Sequence, residues 1–230
     1  MKCVKQLVKT SILIFVFSSL LGFSQKNDFT SAADKVIAEG LTQFAKPQQG
    51  VAFITSPNLD VTWVEDATNI IKVPRFEFTD QSGHSITDKP MKGNKSVVAF
   101  IFTSCGKVCP ATVHNLKTLQ KKVADDDVQF YLFSVNPDFD RPRQLSEYAK
   151  KMKVDKFKNW HFITGEKEKI YELARNTFFA DAQEKKTKEA TSFLHTENVY
   201  LVDGNKKIRA VINGNNPNDI DIMSSYISQL

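Results

Sequence analysis

A chain of 230 residues, 41% of them hydrophobic, is long enough for one domain of ordinary size with its own core, and nothing in its length asks for a second. Its formal charge of +5 falls to +2 without Lys2, Lys5 and Lys9, the charged residues that precede Gln25. The charge that remains is small and spread along the chain, which takes away the electrostatic footing of a nucleic-acid-binding role.

Those lysines are followed by an apolar stretch from Ile12 to Phe23, about a dozen residues, which suits the core of a signal peptide and is short for a membrane span. Small residues in Gly22-Phe-Ser24 place the expected cleavage of segment 1–24 before Gln25, with an uncleaved anchor as the alternative. The expected location is therefore exported, periplasmic or on the outer face of the cytoplasmic membrane, with membrane association only if the segment is retained. Cys3 precedes the apolar stretch, so it is not a lipid-attachment cysteine and leaves with the signal. Cys105 and Cys109 remain, and a single close pair in an exported protein is not a disulfide framework; such cysteines are working groups.

Residues 25–71 read as an N-terminal extension that packs onto the main domain. Ser31–Phe44 offers Val36, Ile37, Leu41 and Phe44 on one face of a short amphipathic helix, closed by Lys46-Pro-Gln-Gln-Gly50. Val51–Thr55 and Val61–Val64 are expected as short strands around Ser56-Pro-Asn58. The main domain, 72–230, opens with a β-hairpin of Phe76-Glu-Phe78 and His84–Thr87 across the turn Asp80-Gln-Ser-Gly83. Val97–Phe102 is apolar at every position and predicts a strand buried on both faces. Pro110 suits the first turn of a helix, which Ala111–Val123 continues with Val113, Leu116, Leu119 and Val123 at helical spacing.

Asp125-Asp-Asp127 reads as a solvated turn rather than a metal site. A second buried strand, Val128–Val135, ends at Asn136-Pro137; a helix over Arg141–Met152, a strand over Trp160–Thr164 and a helix over Glu166–Phe179 follow. Ala180–Thr191 is a charged loop. Glu197–Asp203 and Lys207–Ile212 form a hairpin over Asp203-Gly204-Asn205, and Asn216 with Pro217 opens a last helix to Leu230. The alternation describes an α/β fold with a central mixed β-sheet flanked by helices.

Both cysteines are thereby expected between a strand end and a helix start, where unsatisfied backbone N–H groups and the positive end of the helix dipole favour a thiolate. Gly106, free to take φ > 0, lets the segment fold back so that both sulfurs face one point. The pair can chelate a soft metal or close to a disulfide. A bridge kept only for stability would contribute little across so short a loop.

With these motifs in place, the chain resembles the Sco/SenC family of copper chaperones. The resemblance runs from Ser56-Pro-Asn-Leu-Asp-Val-Thr-Trp63 to the C-terminus. It is densest in Phe78-Thr-Asp-Gln-Ser-Gly83 through Phe102-Thr-Ser-Cys-Gly-Lys-Val-Cys-Pro110, in Phe133-Ser-Val-Asn-Pro137 with Asp140 and Pro142, and in His195-Thr196 leading into Val199-Tyr-Leu-Val-Asp203. It implies a thioredoxin-like fold and a part in cytochrome c oxidase assembly. It also implies copper, Cu(I) or Cu(II), bound by Cys105, Cys109 and His195. Two thiolates and an imidazole independently make a soft, low-coordinate donor set. The implied partners are the copper-site subunit of a terminal oxidase and either another copper chaperone or a thiol reductant. Asn136 and Leu194 stand where the family usually has Asp, so a carboxylate expected near the site is absent at each position.

The alternative function is a thiol-disulfide oxidoreductase that keeps the target's cysteines reduced, with Cys105 and Cys109 as attacking and resolving thiols. Related redox enzymes resemble one another in Cys-x2-Cys and in a proline before the late strand; here the spacing is three and Ala190–Thr196 has no proline. A thiol peroxidase would need Pro-x3-Thr-x2-Cys, but Val98 and Phe102 occupy those places. A copper sensor that docks when loaded is a further reading. His114 is the competing nitrogen ligand, expected to point away from the cysteine loop, and His84 and His161 read as structural or exposed.

Overall fold

The computed structural model describes residues 50–123, 128–180, 194 and 196–230. The signal segment, the helix expected over Ser31–Phe44, the acidic turn Asp125–Asp127, residues 181–193 of the charged loop and its continuation, and His195 lie outside them. The described residues fall in the compact unit Pro47–Leu230.

In chain order the elements are β1 (Phe53–Ile54), β2 (Val61–Thr62), β3 (Glu77–Asp80), β4 (Ser85–Thr87), β5 (Lys95–Ile101), α1 (Val108–Lys122), β6 (Val128–Ser134), α2 (Pro142–Lys151), β7 (Trp160–Thr164), α3 (Lys167–Asn176), β8 (Asn198–Val202), β9 (Ile208–Asn213) and α4 (Pro217–Ile227). Seven strands form one sheet in the order β4-β3-β7-β6-β5-β8-β9. The β5, β6 and β7 strands are mutually parallel, as helical crossovers require, whereas β8 runs antiparallel to β5. The sheet is mixed, and β5, the strand that leads to the cysteines, lies well inside it.

Two-residue alternation along β5 divides the core. Val97, Ala99 and Ile101 face a layer that includes Leu116 of α1, Leu145 of α2 and Met223 of α4. Val98 and Phe100 face the other way, toward Ile170 and Leu173 of α3 and a group of aromatic rings. In that group the Phe133 ring meets Phe76, Phe78 and Phe100 at centroid distances of 5.5, 5.8 and 5.7 Å. Burial on both faces is why β5 and β6 read as continuous apolar runs.

The hairpin of β3 and β4 pairs Phe78 with Ile86, and Asn216 caps α4 by accepting from the Asn218 N–H at 3.1 Å. Two local expectations change. Helix α1 starts at Val108, ahead of Pro110, so Cys109 belongs to its first turn and only Cys105 lies in the connecting loop. Proline is harmless there because the first turn's N–H groups have no intrahelical partner. Gly106 does not take positive φ; the reversal is made with Lys107 at φ −138°, ψ −63°. In the turn between β8 and β9 the positive φ falls on Lys206 (64°). Gly204 is instead required by close approach, since a Cβ there would stand 3.2 Å from the Gly93 backbone.

The short pair β1 and β2 is antiparallel and is fastened to β9 by Arg209. Its Nε donates to the Ala52 carbonyl at 2.9 Å, Nη2 donates to the Val51 carbonyl, and Nη1 meets the Asp203 carboxylate at 2.9 Å. The guanidinium also lies 3.8 Å from the centroid of the Phe53 ring. Among the described residues no helix is long and apolar enough to cross a membrane.

Candidate functional site

Where β5 leaves the sheet at Ile101, Phe102 accepts a hydrogen bond from the Cys105 N–H at 3.2 Å, closing a turn. The chain then enters α1. Cys109 is 5% exposed and packs in the core beneath that helix, while Cys105 is half-buried at the surface. Both thiols are free. The Cys109 N–H donates to the Cys105 sulfur at 3.4 Å.

The two sulfurs differ electrostatically. Burial works against ionisation at Cys105, yet the N–H groups of Cys109, Lys107 and Val108 outweigh it, and the thiol lies below its ordinary value. Burial pushes the Cys109 thiol up to about 12, aided by the adjacent Cys105 sulfur and the Asp140 carboxylate, against a hydrogen bond with the Phe102 backbone. The half-buried cysteine is thus the more readily ionised of the two, and the buried one is held as a thiol.

A cavity of about 420 Å³ opens beside them, and Cys105, Cys109, Phe102, Leu194, Thr196 and Glu197 are among its lining residues. Leu194 and Thr196 are the chain neighbours of His195. Leu194 is buried with the α3-side core, and its N–H reaches the Tyr171 hydroxyl at 3.4 Å. That hydroxyl in turn donates to the Val135 carbonyl at 2.9 Å. The position that usually carries Asp therefore carries an apolar core anchor here. Glu197, a carboxylate on the cavity wall, accepts from Asn213 Nδ2 at 2.8 Å.

Among the other histidines, His84 and His114 are exposed. His161 lies on β7 with Nε2 3.2 Å from Gln129 Oε1. None of these three lines the cavity. Among the described residues, no three His, Cys, Asp or Glu side chains stand close enough to hold a metal ion; the structure brings together the two cysteines of the expected trio.

Sequence reasoning assigned no role to Asp140, which is wholly buried. Its Oδ2 accepts from the Thr103 N–H at 3.0 Å and from Ser134 Oγ at 2.6 Å, and its Oδ1 accepts from Thr103 Oγ1. The available signal was the second of two acids, Asp138 and Asp140, between Pro137 and Pro142, just after a buried strand. Tyr148 was also missed. Its hydroxyl is buried without a hydrogen-bond partner among the described residues, and burial, with the charges of Cys109, Cys105 and Asp140, keeps it protonated.

A parallel-centred sheet with a thiol pair at the strand-to-helix junction defines a thioredoxin-like protein built around two cysteines. Residues 65–229 match the family model for SCO1/SenC, and the chain belongs to that family. It is 34% identical over 170 residues to the SCO1 protein homolog of Bacillus subtilis (strain 168), covering 72% of this chain and 86% of the relative. Among solved structures it is similar to BsSco, described with a disulfide switch and as a member of the Sco family of cytochrome c oxidase assembly proteins. That match has 30% identity and a TM-score of 0.60, over 73% of this chain and 96% of BsSco. The ScoI of Bradyrhizobium japonicum, solved with copper bound, shares the fold at 23% identity and a TM-score of 0.53, over 67% of this chain and 98% of that one.

Proposed function

We propose that this protein is a copper-binding assembly factor. It holds copper as cargo through the thiolates of Cys105 and Cys109 and the imidazole of His195, and delivers it to the binuclear copper site of a terminal cytochrome c oxidase. One observation carries the reading: two free thiols line the same cavity as both chain neighbours of His195. The donor chemistry fits, because paired thiolates suit Cu(I) and an added imidazole nitrogen tolerates Cu(II). Membership in the SCO1/SenC family, a copper-bound ScoI and the cytochrome c oxidase assembly role stated for the BsSco family support it.

Each residue has a distinct task. Cys105, accessible and inclined to ionise, makes first contact with incoming copper or with a donor's ligand. Cys109 gives up its proton on binding, since a thiolate is the ligand, so loading releases protons and strengthens with pH. His195 completes the set from the segment that leads into β8. The partners are the oxidase's copper-site subunit and either a second copper chaperone or a thiol reductant, met on the outer side of the cytoplasmic membrane after export.

The test is copper stoichiometry and affinity of the reduced protein under a competing Cu(I) chelator, for wild type, His195→Ala and Cys109→Ser. One tightly held copper that weakens with both substitutions is expected. Affinity no better than a generic dithiol's, and indifferent to His195→Ala, would move the assignment to thiol-disulfide exchange. The unequal thiols favour that second reading specifically: Cys105 attacks a target disulfide, and Cys109 then displaces the target as a dithiol, leaving this chain's own disulfide.

A further inference from the structure

Cys109 is fixed by a helix and the core; Cys105 is held by its N–H bond to the Phe102 carbonyl and by the Cys109 N–H at its sulfur, on a segment that is otherwise open. A side chain at Gly106 would meet nothing within 4 Å, and Lys107 is exposed. The placement of the Cys105 sulfur relative to Cys109 therefore depends on how the chain is held where it leaves β5. Thr103 is held there twice, by its N–H and its hydroxyl, and both bonds end on Asp140.

Asp140 is anchored in its turn. Ser134 Oγ donates to the same carboxylate, and the Asp140 N–H donates to the Asn136 carbonyl at 2.9 Å. Ser134 is the last residue of β6, in register with Ile101, the last residue of β5. The carboxylate thus closes a clamp from the end of one parallel strand, through the next loop, to the threonine two residues before Cys105. Burying a carboxylate is costly unless its oxygens are filled by donors, and here the donors come from the cysteine segment and its neighbouring strand.

We infer that Asp140 is a positioning residue for the thiol pair: by gripping Thr103 it sets the effective concentration at which Cys105 meets Cys109. A disulfide forms only when the two Cβ atoms come within a narrow range. A looser segment therefore disfavours the closed form, and disfavours two-sulfur chelation for the same reason. This rests on the reading above that the two thiols act as a pair.

The experiment is equilibration of the full chain in glutathione buffers of graded ratio, with the closed and open forms counted by thiol trapping and mass. The reaction is balanced: the protein S–S bond breaks, two glutathione thiols are oxidised to one glutathione disulfide, and their protons pass to Cys105 and Cys109. Asp140→Ala and Thr103→Val are expected to shift the equilibrium toward the dithiol by roughly fivefold to tenfold, the scale of one or two lost hydrogen bonds. Asp140→Asn keeps an acceptor for Thr103 N–H and an amide that can donate to its hydroxyl, so it should stay within about twofold of wild type, by the same hydrogen-bond argument.

A merely structural role would lower the melting temperature of Asp140→Ala and leave the equilibrium unmoved, which overturns the inference. So does an Asp140→Asn shift as large as that of Asp140→Ala, because charge rather than grip would then be acting. If Asp140→Ala does not fold, Thr103→Val and Asp140→Asn decide the matter alone. A wild-type pair that neither closes in these buffers nor holds copper under the chelator would bring down the thiol-pair reading and the clamp together. A wild-type pair that does either, with variants indistinguishable from it, brings down the clamp only.

Discussion

The N–H of Cys109 points at the sulfur of Cys105 across 3.4 Å, so the helix that buries one cysteine also stabilises the ionised form of the other. The two thiols share one electrostatic arrangement with opposite results.

Alkylation should follow from it. In metal-free reduced protein, iodoacetamide is expected to modify Cys105 first, with a pH midpoint below the ordinary 9.0 of a free thiol. Cys109 should resist until the pH approaches about 12. Rates read by mass spectrometry in Cys109→Ser and Cys105→Ser proteins separate the two sites; equal midpoints would sink the assignment.

His161 supplies a pH dependence of stability. Burial lowers its pKa below the ordinary 6.5, with the Asp80 charge pulling weakly the other way. The unfolded chain then takes up a proton before the folded one does. The stability concerned is fully present above about pH 6.5 and is lost as pH falls toward the depressed folded value. Melting temperatures measured from neutral to mildly acid pH should drop in wild type and drop less in His161→Gln.

Arg209 joins β1 to the domain while neutralising buried Asp203. Replacing it with Leu takes the cation from Asp203 Oδ2 while Oδ1 keeps the Asn205 and Lys207 N–H groups, a loss of ~1.5–3 kcal/mol, the scale of a hydrogen bond to a charged group. Denaturant unfolding should report a loss of that order. Limited proteolysis should cut near residues 50–64 before the rest of the domain opens.

Tyr171 ties Leu194 to the end of β6 through its hydroxyl. In Tyr171→Phe the bond is gone but the ring remains, a loss of about 1 kcal/mol where a neutral hydrogen bond is removed. If His195 binds copper, Cu(I) affinity should fall by roughly fivefold, less than in His195→Ala. An unchanged affinity would separate the Leu194 anchor from the metal.

Much of this architecture could be read from local pattern. Val97–Phe102 announced an interior strand because both of its faces are covered, and Leu116 with Leu119 announced a helix because they recur on one side of it. Pro110 does stand in the first turn of α1, but the helix begins two residues earlier, at Val108, so Cys109 is already inside it. Gly204 carries no unusual φ; its smallness answers to Gly93, more than a hundred residues away in the chain. Asp140 was invisible as a clamp for the same reason, since its meaning lies in Thr103, far away in sequence and adjacent only after β5 and β6 pair. Leu194 reads locally as a lost acid, and only the fold reveals the core it fills.

The pairing of β5 with β8 sets Ser96 opposite Val202, so one wall of the cavity is made by residues translated about a hundred positions after the other. A partly made chain has both sulfurs but lacks the wall that Leu194, Thr196 and Glu197 provide. Contacts between such distant segments are slow to form. Until those later residues are made and β8 pairs with β5, the two cysteines stand without that wall.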